Sequence, residues 1–205
     1  MDGDNPVLLA FDAPLGWPSP LGASLVNRVA GQPLQSDIDR AFQRTADLEI
    51  QRRLKPRPLK VGADKIARTA HAALALPDEI RHQTGQPIPL AWDREKLAET
   101  KVIEVYQAAA TLCSLGLRHQ GYKKADQESV SRRREIIKRL RERIEIPRGI
   151  KILNQNAHVL DAVVCVLAGA DFLNGNAVGP GPNHVAAARK EGWIWVREGD
   201  ATKAP

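Results

Sequence analysis

Two features of the chain predict an α/β protein. Val7 to Phe11 and Val102 to Tyr106 are apolar runs too short for helices and bounded by turn residues, so each reads as a buried strand. Much of the remaining chain has helical spacing, including an amphipathic stretch from Lys123 to Glu145 and an almost wholly apolar one after Asn156.

The first strand ends in Asp12, followed by Pro14, Gly16 and Pro18, which suit neither strand nor helix. Asp12 is therefore expected at a strand tip facing a rigid loop, the place where ligands bind in open α/β sheets. An aspartate there can equally serve as an acceptor for turn hydrogen bonds. A Pro/Gly/Ser-rich connector leads to a segment capped by Ser36, with a loose apolar stripe of Ile38, Phe42, Leu48 and Leu54. "KPRPLKVGAD" breaks it, and Asp64 is placed to cap a helix through "KIARTAHAALAL". Residues 77–100 are polar and Pro-rich and are predicted to form a lobe or loop.

Glu104 sits inside the second strand between Ile103 and Val105, and its side chain faces either solvent or an interior near Asp12. An alanine-rich turn or helix follows. On the 123–145 helix, Val130, Ile137, Leu140 and Ile144 form the apolar face. Arg132, Arg133, Arg134, Lys138, Arg139, Arg141 and Arg143 crowd the rest. Glu135 with Arg139 and Lys138 with Glu142 have i,i+4 spacing for ion pairs. The basic face is either solvated or a track for a nucleic-acid backbone, and no aromatic residues interleave to stack bases.

Asn156 is placed to cap the buried helix, on which His158, Asp161 and Cys165 share one face. A carboxylate there needs a metal ion, a nearby cation or backbone donors, because an isolated buried charge costs several kcal/mol or more. Trp193 to Val196 is expected to pack against the core.

With 205 residues and 43 % hydrophobic content, the chain can bury one core, or a core with an appended lobe. A formal charge of +6 and a pI near 9.5 suit an anionic partner. Cys113 and Cys165 lack metal-type spacing and read as reduced, buried thiols. Asp2 and Asp4 at the start, and no long apolar run, predict a soluble cytoplasmic protein without signal peptide or membrane span. The chain contains no GxxxxGK[ST], GxSxG or CxxC motif, so phosphate-loop, serine and cysteine chemistries have no support. Carboxylate chemistry around a divalent metal remains.

"FDAPLGWP", "RTAD", "DKIARTA", "VIEVY", "GYK", "HVLDAVVCVLAGADFL" and "EGWIWV" occur here in the order seen in the domain of unknown function 429 family. The chain resembles that family from Val7 to Val196. His158 to Ala162 also resembles the last motif of Holliday-junction-resolvase-type nuclease domains. The resemblance implies a ribonuclease H-like mixed sheet flanked by helices, as a single domain over residues 1–205 with 19–100 as a partly helical insertion. It further implies a nuclease hydrolysing phosphodiester bonds with two Mg²⁺ or Mn²⁺ ions, a chemistry suited to oxygen ligands.

Carried over by residue, Asp12 and Asp161 would be metal ligands and Glu104 a supporting carboxylate ligand. His158 would bind or orient the metal or the attacking water. Arg44, Asp47, Asp64 and Lys65 match family positions without an assigned role. Gln107 stands where the family usually has proline, which is expected to alter only the strand exit. A larger departure is at the front, where the first three strands of the fold, with the leading catalytic aspartate, are missing. An edge left bare in this way invites pairing with another chain. Three explanations follow: the remaining strands are encoded upstream of the assigned start, which is the one favoured; a second copy or a partner covers the edge; or the chain is a non-catalytic descendant. A binding or scaffold protein on the same fold is thus the alternative to a nuclease. Nucleic acid would bind through Arg132, Arg133, Arg134, Lys138, Arg139 and Arg141.

Overall fold

A computed structural model describes residues 5–54, 58–62, 64–94, 97–106, 111–118, 120–147 and 149–197. It is a mixed α/β chain. Strands β1 (Leu8–Phe11), β2 (Lys101–Val105), β3 (Ala177–Val178) and β4 (Ile194–Arg197) form a four-stranded sheet in the order β1-β2-β4-β3. β1 and β2 are parallel, with Phe11 in register with Glu104, and β3 and β4 are antiparallel. The two apolar runs are thus strands, the second shifted one residue towards the N-terminus. β3 is only two residues long, too short to carry an alternation pattern. The chain divides into two compact units, residues 1–104 with 179–194, and residues 105–178 with 195–205.

The first unit holds β1 and helices α1 (Ser19–Leu25), α2 (Ile38–Phe42), α3 (Thr45–Leu54), α4 (Asp64–Thr84) and α9 (Val185–Glu191). The loose stripe over 36–54 belongs to two helices rather than one. Asp37, not Ser36, caps α2 by accepting from the Asp39 and Arg40 amides, and Gln43 is extended, so the helical phase is broken before α3. The side chains of Leu54 and Asp64 lie outside the described residues, and with them the expected Asp64 cap. α4 runs on through Pro77 to Thr84, where a loop or lobe was predicted. Pro77 removes one helical donor, but it is buried in the unit, and the Ala- and Leu-rich stretch before it favours helix. Gly85, with φ +66°, ends the helix by donating to the Arg81 carbonyl at 2.8 Å. Buried Ile50, Val61, Ala70, Ile88 and Ile103 belong to this unit's interior.

The second unit contains α5 (Leu112–Ser114), α6 (Gln127–Leu140), α7 (Ile152–Gln155) and α8 (Ala157–Leu173). α6 is shorter than the predicted 123–145 helix. Asp126 accepts from the Ser129 amide at 2.8 Å and starts it, while after Leu140 the chain continues only as hydrogen-bonded turns, Arg143 N and Ile144 N both donating to the Leu140 carbonyl. α6 packs on α7 and α8 around a core that includes Tyr122, Ile137, Leu140, Leu160 and Val164. Asn156 caps α8 as expected, accepting from the His158 and Val159 amides. Farther along α8, Asp171 accepts from Arg197 of β4 at 3.0 Å, and Phe172 meets Trp195 edge-on with centroids 4.7 Å apart. Cys165 is buried, but Cys113 is exposed, contrary to expectation, because α5 turns Leu112 inward instead. Gln107 and the alanines after it lie outside the described residues, as do Asp2 and Asp4. Among the described residues no helix is long and apolar enough to cross a membrane.

Leu140 is fully buried at the heart of the second unit. Leu140→Ala is expected to cost about 2–5 kcal/mol through lost burial and a residual cavity, seen as a lower urea midpoint at an unchanged slope.

Candidate functional site

The expected site residues fall into two groups, each built within its own unit. In the first unit, β1 delivers Asp12 to an exposed position one residue beyond the partner of Glu104. Glu104 is buried at 4 % exposure, so the solvent-facing alternative is excluded. Its partner is Arg44, which is also buried. The Arg44 Nη1 and Nη2 donate to Glu104 Oε2 and Oε1, both at 2.6 Å. Nε and Nη2 donate to Asp47 Oδ2 and Oδ1 at 3.2 and 2.8 Å, and Nη1 also reaches the Glu191 carbonyl at 3.3 Å. All five guanidinium N–H donors therefore have acceptors.

One guanidinium serves two carboxylates, and backbone amides supply the rest. Leu15 N donates to Glu104 Oε2, and Arg44 N to Asp47 Oδ2, each at 2.9 Å. Burial alone would lower the Arg44 pKa, but Glu104 and Asp47 raise it above its ordinary value. Burial pushes the Glu104 carboxyl up; Arg44 and the Leu15 amide oppose this, and the nearby Asp47 charge adds to it.

The Leu15 contact fastens the Pro14–Pro18 loop to β2. Gly16 completes the attachment, since a β-carbon there would collide with the Glu191 carbonyl. The Glu191 carboxylate accepts from Ser19 N at 3.0 Å, the Ser19 hydroxyl at 2.7 Å and Thr45 N at 2.7 Å. Burial would raise this carboxyl, yet those donors outweigh it and hold the pKa below the ordinary glutamate value.

In the second unit, α8 carries His158 and Asp161 one turn apart, with His158 exposed and Asp161 buried. Asp161 Oδ1 accepts from the buried Tyr122 hydroxyl at 2.7 Å. Oδ2 pairs with Lys123 Nζ at 2.9 Å, and the Lys123 side chain is 51 % exposed. The same ammonium lies 5.6 Å from the Tyr122 ring centroid.

Arg133 sets this arrangement. It was expected on the accessible basic face, but it is buried at 2 % exposure. Its Nε donates to the Asn154 carbonyl at 2.7 Å, and Nη1 donates to the carbonyls of Tyr122 and Lys124. Those carbonyls offer a buried cation hydrogen bonds that solvent would otherwise supply. Arg132 binds Glu128 at 2.5 Å and the Gln120 carbonyl at 2.9 Å. Arg134, Lys138, Arg139 and Arg141 are exposed, and Arg139 pairs with Glu142 at 3.4 Å.

Arg44 and Asp47, quoted without a role in "RTAD", prove to be a buried ion pair at i,i+3 spacing. Tyr122 and Lys123, from "GYK", prove to be the partners of Asp161. The signal for Arg133 was its helical spacing: it lies three residues after Val130 and four before Ile137, on the apolar stripe rather than on the basic face.

Arg44→Met leaves Asp47 and Glu104 without their cation and is expected to cost about 3–5 kcal/mol at neutral pH. A carboxyl raised in the folded state favours folding most below its unfolded pKa and loses that contribution as pH rises through the folded value. The deficit should therefore shrink on acidification, which urea titrations at several pH values would measure. Glu191 has the opposite sign. Its contribution is present above its ordinary pKa of 4.5 and is lost as pH falls through the lower folded value. Glu191→Gln should thus have a flatter profile of Tm against pH than the wild type on that acid limb.

Comparison with curated proteins and with solved structures gives no match. A family model described as a protein of unknown function (DUF429) matches residues 2–185, and the chain belongs to that family.

Proposed function

We propose that the chain is a metal-dependent nuclease acting on phosphodiester bonds of nucleic acid, on a ribonuclease H-like form of the α/β fold. The observation that carries this reading is the setting of Asp161. One oxygen is oriented by a buried tyrosine hydroxyl, while the other meets, among the described residues, a half-exposed lysine. Metal-ligating carboxylates are commonly oriented in this way by an outer hydrogen bond. Lys123 is half-exposed, so its ammonium can pass to solvent when that oxygen takes another partner.

Hard divalent cations such as Mg²⁺ or Mn²⁺ prefer carboxylate oxygens, and Asp161 fits that preference. His158, one turn earlier on the same helix, is a further donor and is exposed. Glu104 does not fit as a ligand in this arrangement, because the buried Arg44 and the Leu15 amide hold its oxygens. Its role in this reading is to anchor the loop that follows Asp12. Bound divalent ions would supply an activated water and stabilise the leaving oxygen. The chain's own contribution is to orient Asp161 through Tyr122 and to present Arg134, Lys138, Arg139 and Arg141 to the phosphate backbone. Arg133 makes no such contact, being occupied in the interior.

A second reading, a non-catalytic nucleic-acid-binding protein, is favoured by one observation. Glu104, Asp161 and Asp171 each already have a cation of the chain, Arg44, Lys123 and Arg197 respectively. Among the described residues no group of three or more His, Cys, Asp or Glu is placed to hold a metal.

Asp161→Asn separates the two. Under the nuclease reading, calorimetry detects Mn²⁺ binding to the wild type, and the variant loses both that binding and oligonucleotide hydrolysis. Nucleic-acid affinity, set by phosphate contacts, should persist and fall steeply with added salt. A wild type that binds oligonucleotides but neither binds Mn²⁺ nor hydrolyses them would establish the second reading.

A further inference from the structure

We propose that Arg134, Lys138 and Arg141 form one stripe on α6 whose partner is a nucleic-acid duplex, held by its phosphates and not by its bases. The inference rests on nucleic-acid binding, which both readings above share, and it requires no metal. It names the form of the partner and divides the basic face of α6 into residues that serve it and residues that do not.

The division comes from helical spacing. Arg133, Ile136, Ile137 and Leu140 are buried, so the accessible positions of α6 fall along two lines. One line carries Glu128, Arg132, Glu135, Arg139 and Glu142, in which acid and base alternate. Arg132 pairs there with Glu128 at 2.5 Å, and Glu142, spaced to pair with Lys138, sits on Arg139 at 3.4 Å. The other line carries Gln127, Ser131, Arg134, Lys138 and Arg141, with no acid among them. Arg141 closes α6 and keeps helical backbone angles, so it continues the line. Among the described residues these three cations make no ion pair. Like charges one turn apart destabilise a helix. A surface that only had to be solvated is served by the alternating line, where each cation has an acid one turn away. The second line keeps three cations together over about 10 Å of helix axis despite their repulsion, and a polyanion offsets it.

Two further observations select the form of the polyanion. Membrane-surface helices set apolar side chains into the bilayer beside their cations, but Ile136, Ile137 and Leu140 are turned into the core. Single strands are held by aromatic side chains on which their bases stack. α6 has no aromatic residue; Tyr122, Phe172 and Trp195 of the same unit are buried, and Tyr106 follows β2. A duplex has its bases already stacked and presents about one phosphate charge per 1.7 Å of axis, twice the density of one strand, so cations alone can hold it. The acids of the neighbouring line repel the backbone from the rest of the helix and confine it to the stripe.

The test follows binding of a short mixed-sequence DNA duplex, and of each of its strands, to the full chain against salt, in EDTA so that nothing is cleaved. The duplex should bind severalfold tighter than either strand. Lys138→Gln and Arg139→Gln alter adjacent residues and remove the same charge, and glutamine is as good a helix former as either, so both variants should melt like the wild type. Lys138→Gln should lower the salt slope for the duplex by about one unit. Arg139→Gln should lower it by less than half as much, since Glu142 already holds that cation. Neutralising Arg134, Lys138 and Arg141 together should remove about three units.

Equal slope losses for Lys138→Gln and Arg139→Gln would overturn the stripe, because net charge alone would then account for them. Binding of either strand as tightly as the duplex would overturn the duplex assignment. Binding to neither nucleic acid, whether or not vesicles of anionic lipid capture the chain, would remove this inference and the nucleic-acid basis of both readings together. Duplex binding with the expected slopes, but no cleavage when Mn²⁺ is added, would support the inference and remove only the nuclease reading.

Discussion

Two carboxylates closing on one buried guanidinium form the constraint on which the first unit depends. Arg44 cannot lose its charge, and its five donors end on Asp47, Glu104 and the Glu191 carbonyl. These acceptors come from the start of α3, from β2 and from the end of α9. With Leu15 bonded to the same Glu104, the loop after Asp12 is fixed as well. The arrangement makes geometry obligatory, since moving any one segment strands a charge in the interior. It gives a physical reason for the "PLGWP" sequence: two prolines restrict the loop, and its glycine permits close approach to α9.

The second unit uses a buried arginine differently. Arg133 grips carbonyls rather than carboxylates, and it leaves the nearby carboxylate Asp161 to a hydroxyl and a half-exposed lysine. The two clusters therefore differ in exchangeability. Glu104 is locked by a fully desolvated cation, while Asp161 is oriented on one side and loosely covered on the other. A chain that binds divalent metal would be expected to keep its available carboxylate in the second state. Under the proposed nuclease reading, this contrast favours Asp161 over Glu104 as a ligand and leaves Glu104 a positional role.

Much of this was legible in the sequence. Apolar runs mark β1 and β2 because buried strands have few alternatives, and the Asn156 cap and the apolar girth of α8 marked that helix. β3 was not visible, since two residues carry no period. α4 runs through a buried Pro77, and burial is a tertiary term that local punctuation rules do not weigh. Glu104 was ambiguous because strand alternation cannot say which face is covered. The site partners were the least legible. Arg133 falls by helical spacing on the Val130–Ile137–Leu140 stripe and Arg134 beside it, but no local rule names the carbonyls that receive a buried guanidinium. Tyr122 and Lys123 lie about forty residues from Asp161 in sequence, beyond the reach of any local spacing rule.

The central claim is that the exchangeable carboxylate Asp161, rather than the locked Glu104, holds a divalent ion. Anomalous diffraction from crystals equilibrated with Mn²⁺ tests it most directly. The account predicts an anomalous peak within bonding distance of Asp161 Oδ2, Lys123 displaced from that oxygen, and the Arg44–Glu104 pair intact. A peak on Glu104 with Arg44 displaced, or no peak at Asp161 under saturating Mn²⁺, would contradict it.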